Sequence, residues 1–139
     1  MSSKSSVSTN SPFEPIAGFS RAVRIGAMVS VGGTAPIDEN GHTTAIGDAA
    51  AQLKRCFEIS IQAIEQLGGS IEDVIRTRIL LTRVEDWEVC AKVHGDVFGE
   101  IRPALTIVQV AGFIDKRWLV ETEVDAVISP NPAERASQN

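Results

Sequence analysis

Two stretches of this chain alternate apolar and charged residues, and their charged sides have opposite signs. In an extended strand, residues two apart share a face. Over 117–128 this puts Val120, Thr122, Val124, Ala126 and Ile128 on one side, and Leu119, Glu121, Glu123, Asp125 and Val127 on the other. Over 74–82 it puts Ile75, Thr77, Ile79 and Leu81 on one side, and Val74, Arg76, Arg78 and Leu80 on the other. Each pattern predicts a strand with its apolar side against a core. The charged sides also carry Leu80, Leu119 and Val127. That makes them a candidate for burial against a second copy of the chain, where charges of mixed sign can pair. A solvated face with surface ion pairs is the alternative.

The remaining elements follow from the same periodicities. Val23 and Ile25 alternate with Arg24, Gly26-Ala27 supply a two-residue turn, and Val29 and Val31 return as a hairpin. Gly32-Gly33 end or bulge that strand, and Pro36 stops it. Asp48 is suited to cap a helix over 49–67, where Leu53, Phe57, Ile61, Ile64 and Leu67 recur at helical spacing and Gly68-Gly69 close the end. A second helix is expected over 85–98, with Trp87, Cys90, Val93, His94 and Val97 on one stripe, and a further strand over 104–110. The order β-β-α-β-α-β-β predicts an α+β domain: one sheet with two helices packed on one face.

With 139 residues the chain is expected to be one domain. Its bounds are read as 13–129, between a serine-rich disordered tail over 1–12 and a second one over 130–139 that holds Pro130 and Pro132. The start lacks the apolar core of a secretory signal, and no run of 18 apolar residues exists, so no membrane partner is expected. A net charge of −5 argues against a nucleic-acid binder. Cys56 and Cys90 form no CxxC pair, which fits a reducing, cytoplasmic setting.

Candidate chemistry is sparse. Cys90 and His94 stand four apart on one helix face, a conceivable nucleophile pair, though their shared stripe with Trp87, Val93 and Val97 favours packing. His42 and His94 share no metal-ligand spacing with the cysteines, so no metal is expected. Crowded carboxylates raise one another's pKa, so Glu121, Glu123 and Asp125 are candidates to include a base, against the plainer reading that they pair with Arg76, Arg78 or Lys116. Arg102 could clamp a carboxylate, or pair with Asp96 or Glu100.

Taken together, "GFSRAVRIG", "VSVGGTAPID", "LGGSIEDVIRTRILLT", "HGDVFGEIRPALTIVQV" and "LVETEVDAVI" resemble the Rid (YjgF-like) family over about residues 13–128. The resemblance implies a chorismate-mutase-like fold and a homotrimer whose sheets form an inner barrel, with ligand clefts between subunits. It also implies enamine/imine deaminase activity on a small-molecule metabolite, without metal or cofactor. In that pattern Glu123 positions the attacking water. Phe19, Gly33 and Ile107 match positions that face the cleft. Leu105 stands where the deaminases carry the arginine that binds the substrate carboxylate, and leucine cannot replace a guanidinium fork. Arg102, Arg78 or Lys116 are the candidate replacement cations. The loop "GFIDKRWL" is longer than in the deaminases. Two functions are therefore expected to compete: hydrolysis of a reactive imine, or a trimer that binds a metabolite or a protein without turnover.

Overall fold

A computed structural model describes residues 3–130. Its elements are β1 (Lys4–Val7), α1 (Phe13–Ala17), β2 (Ala22–Ile25), β3 (Met28–Thr34), α2 (Ala49–Gln66), β4 (Val74–Leu81), α3 (Trp87–Phe98), β5 (Ala104–Gln109) and β6 (Val120–Val127), with single 3-10 turns at Ile71–Asp73 and Val84–Asp86. One six-stranded sheet runs β1-β2-β3-β6-β4-β5. β4 and β5 pair parallel, and every other pairing is antiparallel. β6 is inserted between β3 and β4, which α2 connects.

The expected alternation builds the core. Val29, Val31, Ile79, Leu81, Val120, Val124 and Ala126 point to one side of the sheet, where Leu53, Cys56, Phe57, Ala63 and Ile64 of α2 and Cys90 and Phe98 of α3 cover them. The β2–β3 hairpin turns through Gly26-Ala27, as the sequence predicts, with Gly26 at φ +60 as a II′-type turn requires. Asp48 caps α2 by accepting a hydrogen bond from Ala51 N at 3.0 Å. Gly68, at φ +95, ends the helix, with Gly69 N donating to Ile64 O at 2.9 Å. Asp48→Ala is expected to lower stability by about 1 kcal/mol, read as a shift of the urea midpoint with unchanged slope.

Three expectations need correction. Residues 4–7, read as part of a disordered tail, form β1 on the free edge of β2, with Lys4 opposite Ile25 and Val7 opposite Ala22. Edge pairing is made by main-chain groups, so it leaves no trace in side-chain pattern. Arg21 N also donates to Val7 O at 2.8 Å. In β4 a bulge between Val74 and Arg76 reverses the first two residues: Val74 is buried and Ile75 half exposed. On α3, Trp87 is 49% exposed, and the buried stripe is Cys90, His94 and Phe98. Trp87 lies in the first turn, beyond the part of α3 that the core reaches. The expected C-terminal tail, 130–139, lies outside the described residues apart from Pro130.

Gln52, fully buried on α2, ties three segments together. Its Nε2 donates to Arg117 O at 3.0 Å and Thr44 O at 3.3 Å, and its Oε1 accepts from Leu119 N at 2.8 Å. It fixes the loop after β3 and the entry to β6 against the helix layer.

Candidate functional site

The strand register decides what each acid on β6 meets. Glu123 is opposite Arg78, Asp125 opposite Arg76, and Glu121 opposite Leu80. Arg78 Nη1 donates to Glu123 Oε1 at 3.2 Å and lies 3.9 Å from Asp125 Oδ2. Ser30 Oγ donates to Asp125 Oδ1 at 2.8 Å. Arg76 turns away to Thr106 Oγ1 at 2.7 Å. The ion-pair reading thus holds for Glu123 and Asp125. Glu121 enters none of the ion pairs among the described residues. Burial pushes its carboxyl above the usual carboxylate range; Arg21 opposes the shift and Glu123 adds to it.

Glu121 instead faces a cavity of about 760 Å³. One wall is the bulged end of β3, where a Cβ on Gly33 would stand 3.3 Å from Glu121 Oε1. The glycine leaves the carboxyl its place. The N-terminal segment from Thr9 to Phe19 forms a second wall. α2 contributes Arg55, Ile59 and Gln62, and the loop before β6 contributes Ile114, Lys116 and Trp118. The Gln52 bracket sets the separation of these walls. Trp118 is held by its Nε1–H donating to Thr43 Oγ1 at 3.0 Å. Arg55 Nε donates to Ile37 O at 2.6 Å.

Arg21 lies on the cavity wall with only 5% of its surface exposed. Its Nε donates to Thr9 Oγ1 at 3.2 Å, and its Nη1 to Gly33 O and to Thr34 Oγ1, the latter at 3.1 Å. Its guanidinium carbon is 5.5 Å from the centre of the Phe19 ring. All its hydrogen-bond partners are neutral.

Of the residues expected to form a site, Phe19, Gly33, Lys116 and Glu121 line this cavity. Glu123 shares the face of Glu121, one strand repeat or roughly 7 Å along. Leu105 and Ile107 lie on the edge strand β5, with β6 and β4 between them and β3, and do not line it. Arg102 is exposed, at φ +58, and stands apart from it. One chain therefore holds the residues as two separate groups. Arg21, Arg55 and Trp118 are cavity residues that sequence reasoning did not select.

The Cys90–His94 pair packs as part of the core. Burial pushes the Cys90 thiol up to about 11. His94 Nε2 lies 2.7 Å from Thr77 Oγ1, and its ring packs against both Phe57 and Phe98. Burial lowers the His94 pKa. The unfolded chain, with an ordinary value of about 6.5, therefore takes up the proton first as pH falls. The stability this group contributes is complete above that value and is lost as pH drops through the folded pKa. Urea midpoints are expected to fall between pH 8 and 5.5, and to fall less in His94→Gln, whose amide can still reach Thr77. Among the described residues, no group of three His, Cys, Asp or Glu is placed to hold a metal ion, and no helix is long and apolar enough to cross a membrane.

A protein-family model described as Endoribonuclease L-PSP matches residues 9–128. The chain belongs to this family, the YjgF/RidA family. An uncharacterized protein of Streptomyces coelicolor is 39% identical over 120 residues, covering 86% of this chain and 89% of the relative. The 3-aminoacrylate deaminase RutC of Acinetobacter baylyi is 35% identical over 107 residues, covering 77% and 84%. The crystal structure of Rv2704 from Mycobacterium tuberculosis, a member of the YjgF/YER057c/UK114 family, superposes with a TM-score of 0.82 at 39% identity, covering 91% of this chain and all of that one. The YjgF/RidA chain has the chorismate-mutase-like α+β fold that its sequence resemblance implied. The family match starts at residue 9, so it includes part of the N-terminal wall of the cavity.

Proposed function

We propose that this YjgF/RidA-family chain hydrolyses a small reactive imine or enamine, without cofactor or metal, in clefts between the copies of a homotrimer. The observation that carries the reading is the arrangement on β6. Glu123 lies beside a walled cavity that Phe19, Gly33 and Glu121 line, and its oxygen is held in place by Arg78 at 3.2 Å. An enamine first takes a proton on carbon to become an imine. Water then adds to the C=N carbon while Glu123 accepts its proton. That proton passes to nitrogen, the hydroxyl proton is then carried to nitrogen as well, and the C–N bond breaks to release a carbonyl compound and ammonia. The RutC relative, an enamine deaminase by name, supports the substrate class.

The separation of the two groups of site residues supports an oligomer. β5 is an open sheet edge, and Leu105 and Val108 on it are exposed. Met28 and Val127, cross-strand partners, are likewise half exposed. A neighbouring copy whose β5 met the outer face would bring Leu105 and Ile107 to Glu123 and cover this apolar surface. A net charge of −5 supports a metabolite over an RNA substrate, despite the ribonuclease in the family description.

The second reading is a trimer that binds a metabolite or a protein without turnover; Leu105, which offers no charge to a carboxylate, favours it. Ammonia release from 2-imino acids, generated in place by an amino-acid oxidase, and from 3-aminoacrylate separates the two. Release above the spontaneous rate is expected. Silence towards both substrates in a well-folded trimer leaves the binding reading, and a sedimenting monomer at micromolar concentration removes the cleft.

A further inference from the structure

The N-terminal wall of the cavity is a loop whose two ends meet. Val7 stands opposite Ala22, and Val7 O accepts from Arg21 N at 2.8 Å, so residues 8–19 leave and return at one point. Inside, the loop is knotted on one carboxylate. Glu14 is 7% exposed, and its Oε2 accepts from Thr9 N and Ser11 N, both at 3.1 Å. Asn10, at φ +61, makes the tight turn between those two amides. Gly18 N and Phe19 N close the other side by donating to Glu14 O at 2.8 and 3.1 Å. Burial alone would raise the Glu14 pKa; hydrogen bonds from Ser8, Thr9 and Ser11 outweigh it and hold the carboxyl below its usual range. The loop is thus a small body with a polar centre of its own.

Its fastening is slight. Among the described residues, one hydrogen bond joins this loop to the rest of the chain: Arg21 Nε donates to Thr9 Oγ1 at 3.2 Å. Thr9 Oγ1 also lies 3.3 Å from Glu14 Oε2. A guanidinium can only donate and an ionised carboxylate can only accept, so the hydroxyl takes the Nε–H and gives its own proton to Glu14. Towards the bulged end of β3, Arg21 Nη1 has three acceptors: Gly32 O, Gly33 O and Thr34 Oγ1. Arg21 therefore belongs to the bulge, and the loop is the side that lets go.

We infer that residues 8–19 are a lid on the cavity, and that Arg21 is the positioning residue that latches it through the hydroxyl of Thr9. Losing one hydrogen bond frees the loop without disturbing the sheet, the helix layer or the Glu14 knot. The loop then swings as a unit between Val7 and Phe19. Pro12, Phe13, Ile16 and Ala17 line the cavity and move with it. The inference concerns access to the cavity, and it holds whatever is bound or turned over there.

The test uses the full chain carrying Trp87→Phe, which leaves Trp118, on the cavity wall, as the one tryptophan. Thr9→Val keeps the shape of the side chain and removes the latch, whereas Thr9→Ser keeps the hydroxyl. In hydrogen exchange read by mass spectrometry, peptides covering 8–19 are expected to exchange about two- to ten-fold faster in Thr9→Val. Peptides from α2 and α3 are expected to be unchanged. Acrylamide quenching of Trp118 is expected to rise in the same variant, because an open lid admits the quencher. Thr9→Ser is expected to restore both readings. Arg21→Met is expected to match Thr9→Val in the loop and also to speed exchange over 32–34. Should that variant fail to fold, the two Thr9 variants decide the matter.

Unchanged exchange of the loop in Thr9→Val overturns the latch. So does a Thr9→Ser chain that behaves like Thr9→Val, since a methyl group and not the hydroxyl would then hold the loop. Faster exchange with unaltered quenching of Trp118 overturns the lid, and faster exchange spread evenly over the chain does the same. No turnover enters these measurements. A chain that opens as expected yet releases no ammonia keeps the lid and loses the hydrolase. A chain that hydrolyses imines while its loop ignores both Thr9 variants does the reverse.

Discussion

Glu123→Gln is expected to lower kcat/KM for ammonia release by about 10²- to 10⁴-fold, the usual contribution of a positioned general base. The amide keeps the shape of the side chain and a hydrogen-bond acceptor for Arg78, but it cannot take a proton from water. Folding is expected to change little, because the Arg78–Glu123 pair is about two-fifths exposed on both sides and pairs of that kind contribute under about 1 kcal/mol. The loss should therefore appear in turnover, with assembly and thermal midpoint close to the parent. Glu121→Gln supplies the contrast. It removes a charge from the cavity wall and is expected to raise KM more than it lowers kcat. If turnover survives Glu123→Gln and fails in Glu121→Gln, the two carboxyl groups exchange roles.

The largest effect on stability is expected at Phe57. Its ring is 1% exposed and meets Phe98 edge-on, with centroids 5.0 Å apart and planes at 89°. His94 completes a three-ring cluster, with its centroid 5.8 Å from Phe57 and 4.9 Å from Phe98. Phe57→Ala removes the ring from the middle of the helix–sheet layer and leaves a void that α2 and α3 cannot both close. A loss of about 3–5 kcal/mol is expected, or a fall of roughly 10–20 °C in Tm for a chain of this length. Trp87→Ala is the control. That side chain is larger but half exposed on the first turn of α3, and its removal should cost well under the Phe57 value. Equal costs at the two sites would mean that α3 does not pack as described.

Where sequence pattern was a faithful guide, side-chain burial was the cause. The alternation of Val120, Thr122, Val124 and Ala126 predicts their burial, and all four are buried. The spacing of Leu53, Phe57 and Ile64 places the inner face of α2 correctly. Pattern reading failed where main-chain geometry took over. A bulge at Val74 exchanged two side chains between faces, and β1 formed from polar residues because an edge strand needs only hydrogen-bonding groups. The candidate site was legible in part for the same reason. Three acids on β6 look alike in sequence. Only the pairing register sets Arg78 against Glu123 and Leu80 against Glu121, and so separates a held carboxylate from one left to the cavity. Arg21 carried no signal at all, since its burial depends on the bulged end of β3 folding over it.

The buried amide of Gln52 has a consequence for how such a cavity can be retuned. It is anchored to main-chain groups of both loops and to none of their side chains. Frame and selectivity are therefore separable: residues such as Ile114 and Lys116 can be exchanged to suit another metabolite while the loop bases stay pinned. A designer seeking a new specificity would leave position 52 alone and vary the tips.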